Sequence, residues 1–217
     1  MKKYYILTIF LIWVSCSYGQ KSVLNNDFLY EDGIFYSYDE FKENKAAKID
    51  SNMLALQVNA EESLILIDSS SLEILLRNQK KDKIWGLCYM GIPYIKTEET
   101  NGPYIYFSKL HVIGKICYYY YKAFREKEVW MQVHNPYSGE LIGRKSIKNK
   151  ELVFVEHIFK HEDGISFSFN YENLFSLSSD DVGLKKSMLE LKIDEKQTKL
   201  FKTLLIYNDR NPIYLSK

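Results

Sequence analysis

Three cysteines, four prolines and ten glycines are few for 217 residues. That scarcity excludes a disulfide-dense secreted knot, a collagenous chain and a low-complexity linker. An excess of one charge is also missing. The 29 basic and 28 acidic residues leave a net charge of +1, so the clustered basic surplus of a nucleic-acid binder is absent. No apolar run approaches the 18 or so residues that span a bilayer as a helix. Phosphate-binding glycine loops, G-x-S-x-G and the H-E-x-x-H zinc signature are absent too. What is plentiful is aromatic: 18 tyrosines, 12 phenylalanines and three tryptophans, within a 46% hydrophobic composition. Such a chain is not disordered by composition, and it is long enough to bury a sizeable core.

The first residues differ from the rest. Met1-Lys2-Lys3 is a short basic start, and Tyr4 to Val14 is apolar apart from Thr8. Eleven residues are too short for a membrane anchor but fit the core of a secretory signal. Small residues at Ser17 and Gly19 place the cut before Gln20. The expected division is therefore a signal peptide over 1–19 and a single mostly β domain over 20–217. Losing Lys2 and Lys3 leaves 27 basic against 28 acidic residues, so near-neutrality survives cleavage. Trp13-Val14-Ser15-Cys16 is the rival, a lipobox-like segment in which Cys16 would carry lipid. The location that follows is periplasmic or secreted, with a lipoprotein anchored through Cys16 as the alternative. In either case the mature chain has no transmembrane span. Cys88 and Cys117 would then meet an oxidising compartment and form a disulfide candidate, with two buried free thiols as the other reading.

Along the body, 20–27 reads as a loose polar arm. Phe28–Tyr30 and Ile34–Tyr36 flank a turn, and Ser37 with Glu40 has the spacing of a capping box for a short helix through Asn44 that buries Phe41. Strand character begins near Met53. Successive apolar runs are separated by Met90-Gly91, Asn101-Gly102, a bend at Gly114, Asn135-Pro136-Tyr137-Ser138-Gly139 and Asp163-Gly164. Ile165, Phe167 and Phe169 alternate with Ser166, Ser168 and Asn170, predicting a strand with one buried and one wet face. After about Tyr171 the spacing of Leu184, Met188, Leu200 and Leu204 turns helical. The expected class is mainly β (α+β). An antiparallel meander of nine or ten strands would form a sandwich or partly open barrel, with a short N-terminal helix and two C-terminal ones.

Candidate functional residues are few. His157 and His161 lie four apart, but the segment reads as a strand entering a turn, so no metal site and no cofactor is expected. No serine or cysteine sits in a nucleophile motif, and no catalytic residue is assigned. The tyrosine run from Tyr118 to Tyr121 stands out. On a strand it presents Tyr119 and Tyr121 to one side, and Tyr104, Tyr119, Tyr121 and Trp130 are the candidate stacking surface for a sugar ring or a peptide. The competing reading is plain β-propensity and cross-strand aromatic packing.

Three blocks carry a resemblance. Asp32-Gly33-Ile34-Phe35-Tyr36-Ser37 with Phe41-Lys42 and Asn44-Lys45 is the first. Ile84-Trp85-Gly86-Leu87-Cys88 with Gly91 and Tyr94-Ile95 is the second, and Leu110 to Tyr118 the third. Together they resemble uncharacterised secreted proteins of the Bacteroidetes, although Ala46-Ala47 stands where those proteins usually carry proline. The resemblance implies an exported cell-envelope protein and brings no activity with it. The function expected is a non-enzymatic binding or scaffolding module whose partner is an unknown envelope protein or a glycan, and no nucleic acid. A small envelope hydrolase is the alternative. Mass spectrometry of the secreted protein is expected to find Gln20, cyclised, at the N-terminus, whereas an acylated Cys16 would identify the lipoprotein.

Overall fold

A computed structural model describes residues 21–48, 56–59, 63–71, 84–97 and 103–216. The leader with Cys16 and the Gly19–Gln20 bond, the strand onset near Met53 and the Asn101-Gly102 turn lie outside them.

The architecture is mainly antiparallel β. A long sheet runs in the order β10-β9-β8-β7-β6-β5-β2, in which β2 is Gly33–Phe35, β5 Gly86–Tyr89, β6 Ile92–Lys96, β7 Tyr104–Val112, β8 Ile116–His134, β9 Leu141–Lys160 and β10 Ser166–Ser168. β3 (Leu56–Asn59) pairs with β4 (Leu64–Asp68). One edge of β7 is shared: Tyr104 to Ser108 pair with β4, and Leu110 and Val112 pair with β8 across a register shift. A strand that serves two neighbours in turn bends the sheet, and the result is a curled half-barrel.

Three cores follow from that curl. The concave face gathers Phe28, Tyr30, Phe35, Cys88, Cys117, Tyr119, Tyr121 and Phe159 around Phe41. Phe41 rides on α1 (Tyr38–Lys42), five residues that could not hold a helix alone. The predicted helix start is present, with half of the capping box: Glu40 N–H donates to Ser37 Oγ at 3.3 Å, whereas Glu40 Oε2 accepts from Tyr36 N–H at 2.6 Å, one residue before the cap. A second core of Ile34, Ile65, Ile67, Leu87, Tyr94 and Phe107 joins β2, β4, β5, β6 and β7. The third lies on the outer side of β8 and β9, where Ile116, Tyr118 and Ile158 meet a helical layer. That layer comprises α2 (Tyr171–Leu177), α3 (Val182–Leu189), α4 (Ile193–Thr198) and α5 (Leu200–Arg210). Asn208 on α5 fastens it to the sheet. Its side chain accepts from Ile116 N–H at 2.9 Å and donates to Ile116 C=O at 2.8 Å. Gly114 is required there, because a Cβ would lie 2.6 Å from the Asn208 amide carbon.

Several expectations change. The 20–27 segment is not a loose arm: β1 (Lys21–Val23) pairs with β11 (Tyr214–Ser216), two strands too short to carry a periodic signal. The C-terminal part holds four helices rather than two. Gly114 lies in the turn between β7 and β8 rather than inside a strand. The charged stretches 125–128 and 148–151 do not break strands. They lie across from each other in one hairpin of 19 and 20 residues, bridged by Lys127–Glu151 at 3.2 Å and Lys148–Glu126 at 3.1 Å. β10 lacks the predicted buried face: Ser166, Phe167 and Ser168 are all exposed, Ile165 before them is 57% exposed, and Ser166, opposite Phe159, lines the mouth of the concavity.

The disulfide candidate is also corrected. Cys88 and Cys117 are both buried free thiols, because β5 and β8 are separated in the sheet by β6 and β7. Cys88 Sγ donates instead to Asp32 Oδ1 at 3.5 Å and Cys117 Sγ to Gly114 C=O at 3.4 Å. Burial pushes the Cys117 thiol up to about 12, and burial with the nearby Asp32 carboxylate raises that of Cys88. The unfolded thiols release protons near pH 8.5 whereas the folded ones hold them, so stability falls as pH rises above that value. Thiol titration at pH 8 is expected to find neither cysteine reactive in the folded protein and both reactive after denaturation.

Candidate functional site

Two cavities on the described surface bear on function. The larger, about 720 Å³, lies beside α1 and β11 and is walled by Asp39, Lys42, Glu43, Lys45, Lys115, Glu162 and the 213–215 segment, with His161 at its back. Its charges compensate one another. Lys42 Nζ donates to Glu162 C=O at 2.6 Å, Lys45 pairs with Glu43, and Lys115 pairs with Asp180. Bands of satisfied charge such as these are ordinary solvated surface.

The smaller cavity, about 400 Å³, has a different character. It sits in the mouth of the concave face between Ile84-Trp85, the end of β6 (Ile95, Lys96, Thr97), the paired strands β8 and β9 (Tyr119, Tyr121, His157, Phe159) and the Gly164–Ser166 corner. Its volume is that of an ordinary small-molecule site. The register explains the grouping. Tyr119 lies opposite His157 and Cys117 opposite Phe159, so these side chains share the concave face of the hairpin with Tyr121. The His157 ring is nearly parallel to both tyrosines, 5.2 Å from Tyr119 at 13° and 5.7 Å from Tyr121 at 8°. Trp85 forms the opposite wall, 6.1 Å from Phe159 and held 4.6 Å from Phe41. At the rim Tyr119 OH and Ser166 Oγ lie 3.0 Å apart, and Ser166 Oγ lies 3.5 Å from His157 Nδ1. Gly164 at φ +69° turns the chain there, where any Cβ would come within 2.5 Å of the Tyr38 ring.

The predicted stacking set does not form one surface. Tyr119 and Tyr121 meet in this cavity, with 7% and 6% of their surface exposed. Tyr104 lies at the start of β7 opposite Asp68, away from the cavity lining. Trp130 is eleven positions beyond Tyr119 along β8, about 36 Å in an extended strand, and is 65% exposed on the outer part of the hairpin. Trp85 and Ser166 carry no functional signal in the sequence. Trp85 belongs to the W-G block, and Gly86 after it is demanded by Tyr94 C=O, 2.6 Å from where a Cβ would stand. That glycine was a legible sign of close packing around the indole, but not of the cavity beside it. His157 and His161 line different cavities, and among the described residues no group of three His, Cys, Asp or Glu is placed to hold a metal.

Chemically, the smaller cavity offers flat apolar walls and a rim of hydroxyl, imidazole and ammonium groups. Ser166 and His157 are arranged like two members of a hydrolytic triad, but the lining includes no aspartate or glutamate to orient the imidazole. Compared with family models, curated proteins and solved structures, the chain finds no match in any of the three.

His161 provides a pH readout for this part of the fold. Buried beside Phe41 at 5.7 Å, with Nε2 lacking a hydrogen-bond partner, it is pushed down to about 4 by burial and by the Lys42 ammonium. The unfolded histidine binds its proton near 6.5, so stability is full above that value and declines as pH falls towards 4, by roughly 2–3 kcal/mol. Chemical denaturation between pH 7 and 4 is expected to show this slope, and His161→Phe to flatten it.

Proposed function

We propose that the protein is an exported cell-envelope binding module that holds a ring of a glycan in the aromatic cavity. The observation that carries this reading is the concave pocket walled by Trp85, Tyr119 and Tyr121 and rimmed by Ser166 and His157. Rigid rings with a polar handle suit a ligand with one apolar face and a hydroxylated edge. A sugar ring meets both conditions: its C–H face lies on indole or phenol, and its hydroxyls exchange hydrogen bonds with the rim. A free aromatic or proline side chain of a peptide would use the walls but leave the rim unused. Export rests on the basic and apolar leader with its small residues before Gln20.

The second reading, a small envelope hydrolase, has one observation in its favour, the 3.5 Å approach of Ser166 Oγ to His157 Nδ1. It needs an orienting carboxylate that the lining residues do not include, so binding without turnover is the stronger reading.

The test is a glycan array followed by calorimetric titration of the hits. Ser166→Trp, which fills the mouth from an exposed edge strand, is expected to weaken binding at least tenfold, about 1.4 kcal/mol or more. Trp130→Ala is expected to leave it unchanged. Recovered glycan should be intact, and Ser166→Ala should bind within a few-fold of the parent. Cleavage that depends on Ser166 would establish the hydrolase instead, and an array without hits, followed by capture of a peptide, would move the ligand class.

A further inference from the structure

The lining of the aromatic cavity is sorted by depth. Its inner side chains, Ile84, Ile95 and Phe159, are apolar and buried. The backbone beside them is already used within the sheet. The backbone N–H of Trp85 donates to Phe35 C=O at 2.9 Å, that of Lys96 to Trp85 C=O at 3.0 Å and that of Thr97 to Tyr106 C=O at 2.9 Å. The buried Thr97 hydroxyl donates to the same Tyr106 carbonyl at 3.3 Å. Polar side chains gather at the outside instead. Ser166 is exposed on the edge strand β10, with Oγ 3.0 Å from Tyr119 OH and 3.5 Å from His157 Nδ1.

An unsubstituted sugar ring suits the rim and the walls but not the inner end. Its hydroxyls lie all round its edge, so a ring laid against Trp85 drives one of them towards Ile84, Ile95 or Phe159. A hydroxyl buried there without a partner loses a factor of about ten to a hundred in affinity. Among the described lining residues there is also no aspartate or glutamate, whose paired oxygens would hold neighbouring hydroxyls or an ammonium group. A methyl group, by contrast, gains from leaving water for an apolar wall.

The sheet register sets the two chemistries side by side, because Ser166 lies directly opposite Phe159. An acetamido substituent has the same arrangement. Its methyl and its carbonyl share one carbon, and its N–H is one atom further on. The methyl of a 6-deoxy sugar has no carbonyl or N–H beside it and would leave Ser166 unused.

We propose that the cavity selects a sugar ring carrying an N-acetylated amino group, with the methyl lodged among Ile84, Ile95 and Phe159 and the amide exchanging hydrogen bonds at the rim with Ser166. This selection rests on the glycan reading of the cavity and gives it a substrate class. The amide supplies both an acceptor and a donor to a rim of hydroxyl and imidazole groups, and the inner wall receives no polar atom.

The test uses the secreted protein and glycans that share a backbone and differ in one substituent: tri-N-acetyl-chitotriose, its fully de-N-acetylated form and cellotriose. A glycan array extends the comparison to other ring configurations, to 6-deoxy rings and to acidic rings. N-acetylated members are expected to bind at least tenfold more tightly than their amino and hydroxyl counterparts in calorimetric titration. Ile95→Thr puts a hydroxyl into the inner lining and is expected to lower that ratio at least threefold. Ile95→Val only trims the wall and is expected to preserve it, with unchanged circular dichroism showing that both variants are folded. Hits that lack an acetamido group and bind as tightly as the N-acetylated glycans would overturn the proposal and leave the glycan reading standing. A ratio indifferent to Ile95→Thr would overturn the seat assigned to the methyl. An array with no glycan hit of any kind would overturn both the proposal and the reading beneath it.

Discussion

The body of the protein is organised around the ring of Phe41. It is fully buried and lies nearly parallel to Tyr30 at 4.9 Å, with Trp85 at 4.6 Å, Phe35 at 5.6 Å, His161 at 5.7 Å, Tyr38 at 6.0 Å and Phe159 at 6.5 Å. These neighbours come from the N-terminal loop, β2, the approach to β5, the end of β9 and the turn after it. One side chain thus ties both ends of the curled sheet. The helix that carries it is a single turn, held by the Ser37 cap and by Glu40 reaching back to Tyr36 N–H rather than by length. The aromatic cavity is the space left at the mouth of the concavity once Phe41 and Trp85 have filled its floor.

The same filling explains the tyrosine run. A strand ordinarily offers one face to the core, so four tyrosines in succession suggest that some are wet. Here both faces of β8 are covered near its start. The helical layer lies over Tyr118, and the Phe41 cluster lies on the side of Tyr119 and Tyr121. The hydroxyls find partners near the margins: Tyr118 OH donates to Glu156 Oε1, and Tyr119 OH meets Ser166 Oγ. β-Propensity and cross-strand packing account for most of the aromatic surplus, and the cavity uses only a small part of it.

Local signals were the legible ones. Ser37 with Glu40, Met90-Gly91 and the period of Leu184, Met188, Leu200 and Leu204 depend on neighbours a few residues away, and each element forms where those signals lie. What escaped depended on distance along the chain. The pairing of β1 with β11 joins the two ends of the described chain. The continuity of β8 and β9 through charged stretches becomes sensible only when Glu126 and Lys148, or Lys127 and Glu151, are seen across a hairpin. The absence of a buried face on β10 follows from its place at a sheet edge, where only three residues pair. For the site, Tyr119 and Tyr121 were legible as an aromatic surface. Their partners Trp85 and Ser166 were not, because curvature rather than sequence proximity brings them together.

The hairpin and the closing strands also differ in how far apart in the chain their partners lie. Every contact of the β8–β9 ribbon grows outward from the Asn135–Gly139 turn, so it can zip residue by residue at low loop-closure cost. β1 and β11 must instead bring Lys21 to Ser216, the kind of non-local contact that slows folding. The ribbon is thus in a position to form while the body is still open. During that interval the charge-free stretch from Val129 to Val133, next to the turn, is among the first strand segments the chain completes, so its exposed apolar side chains meet water before the body has closed.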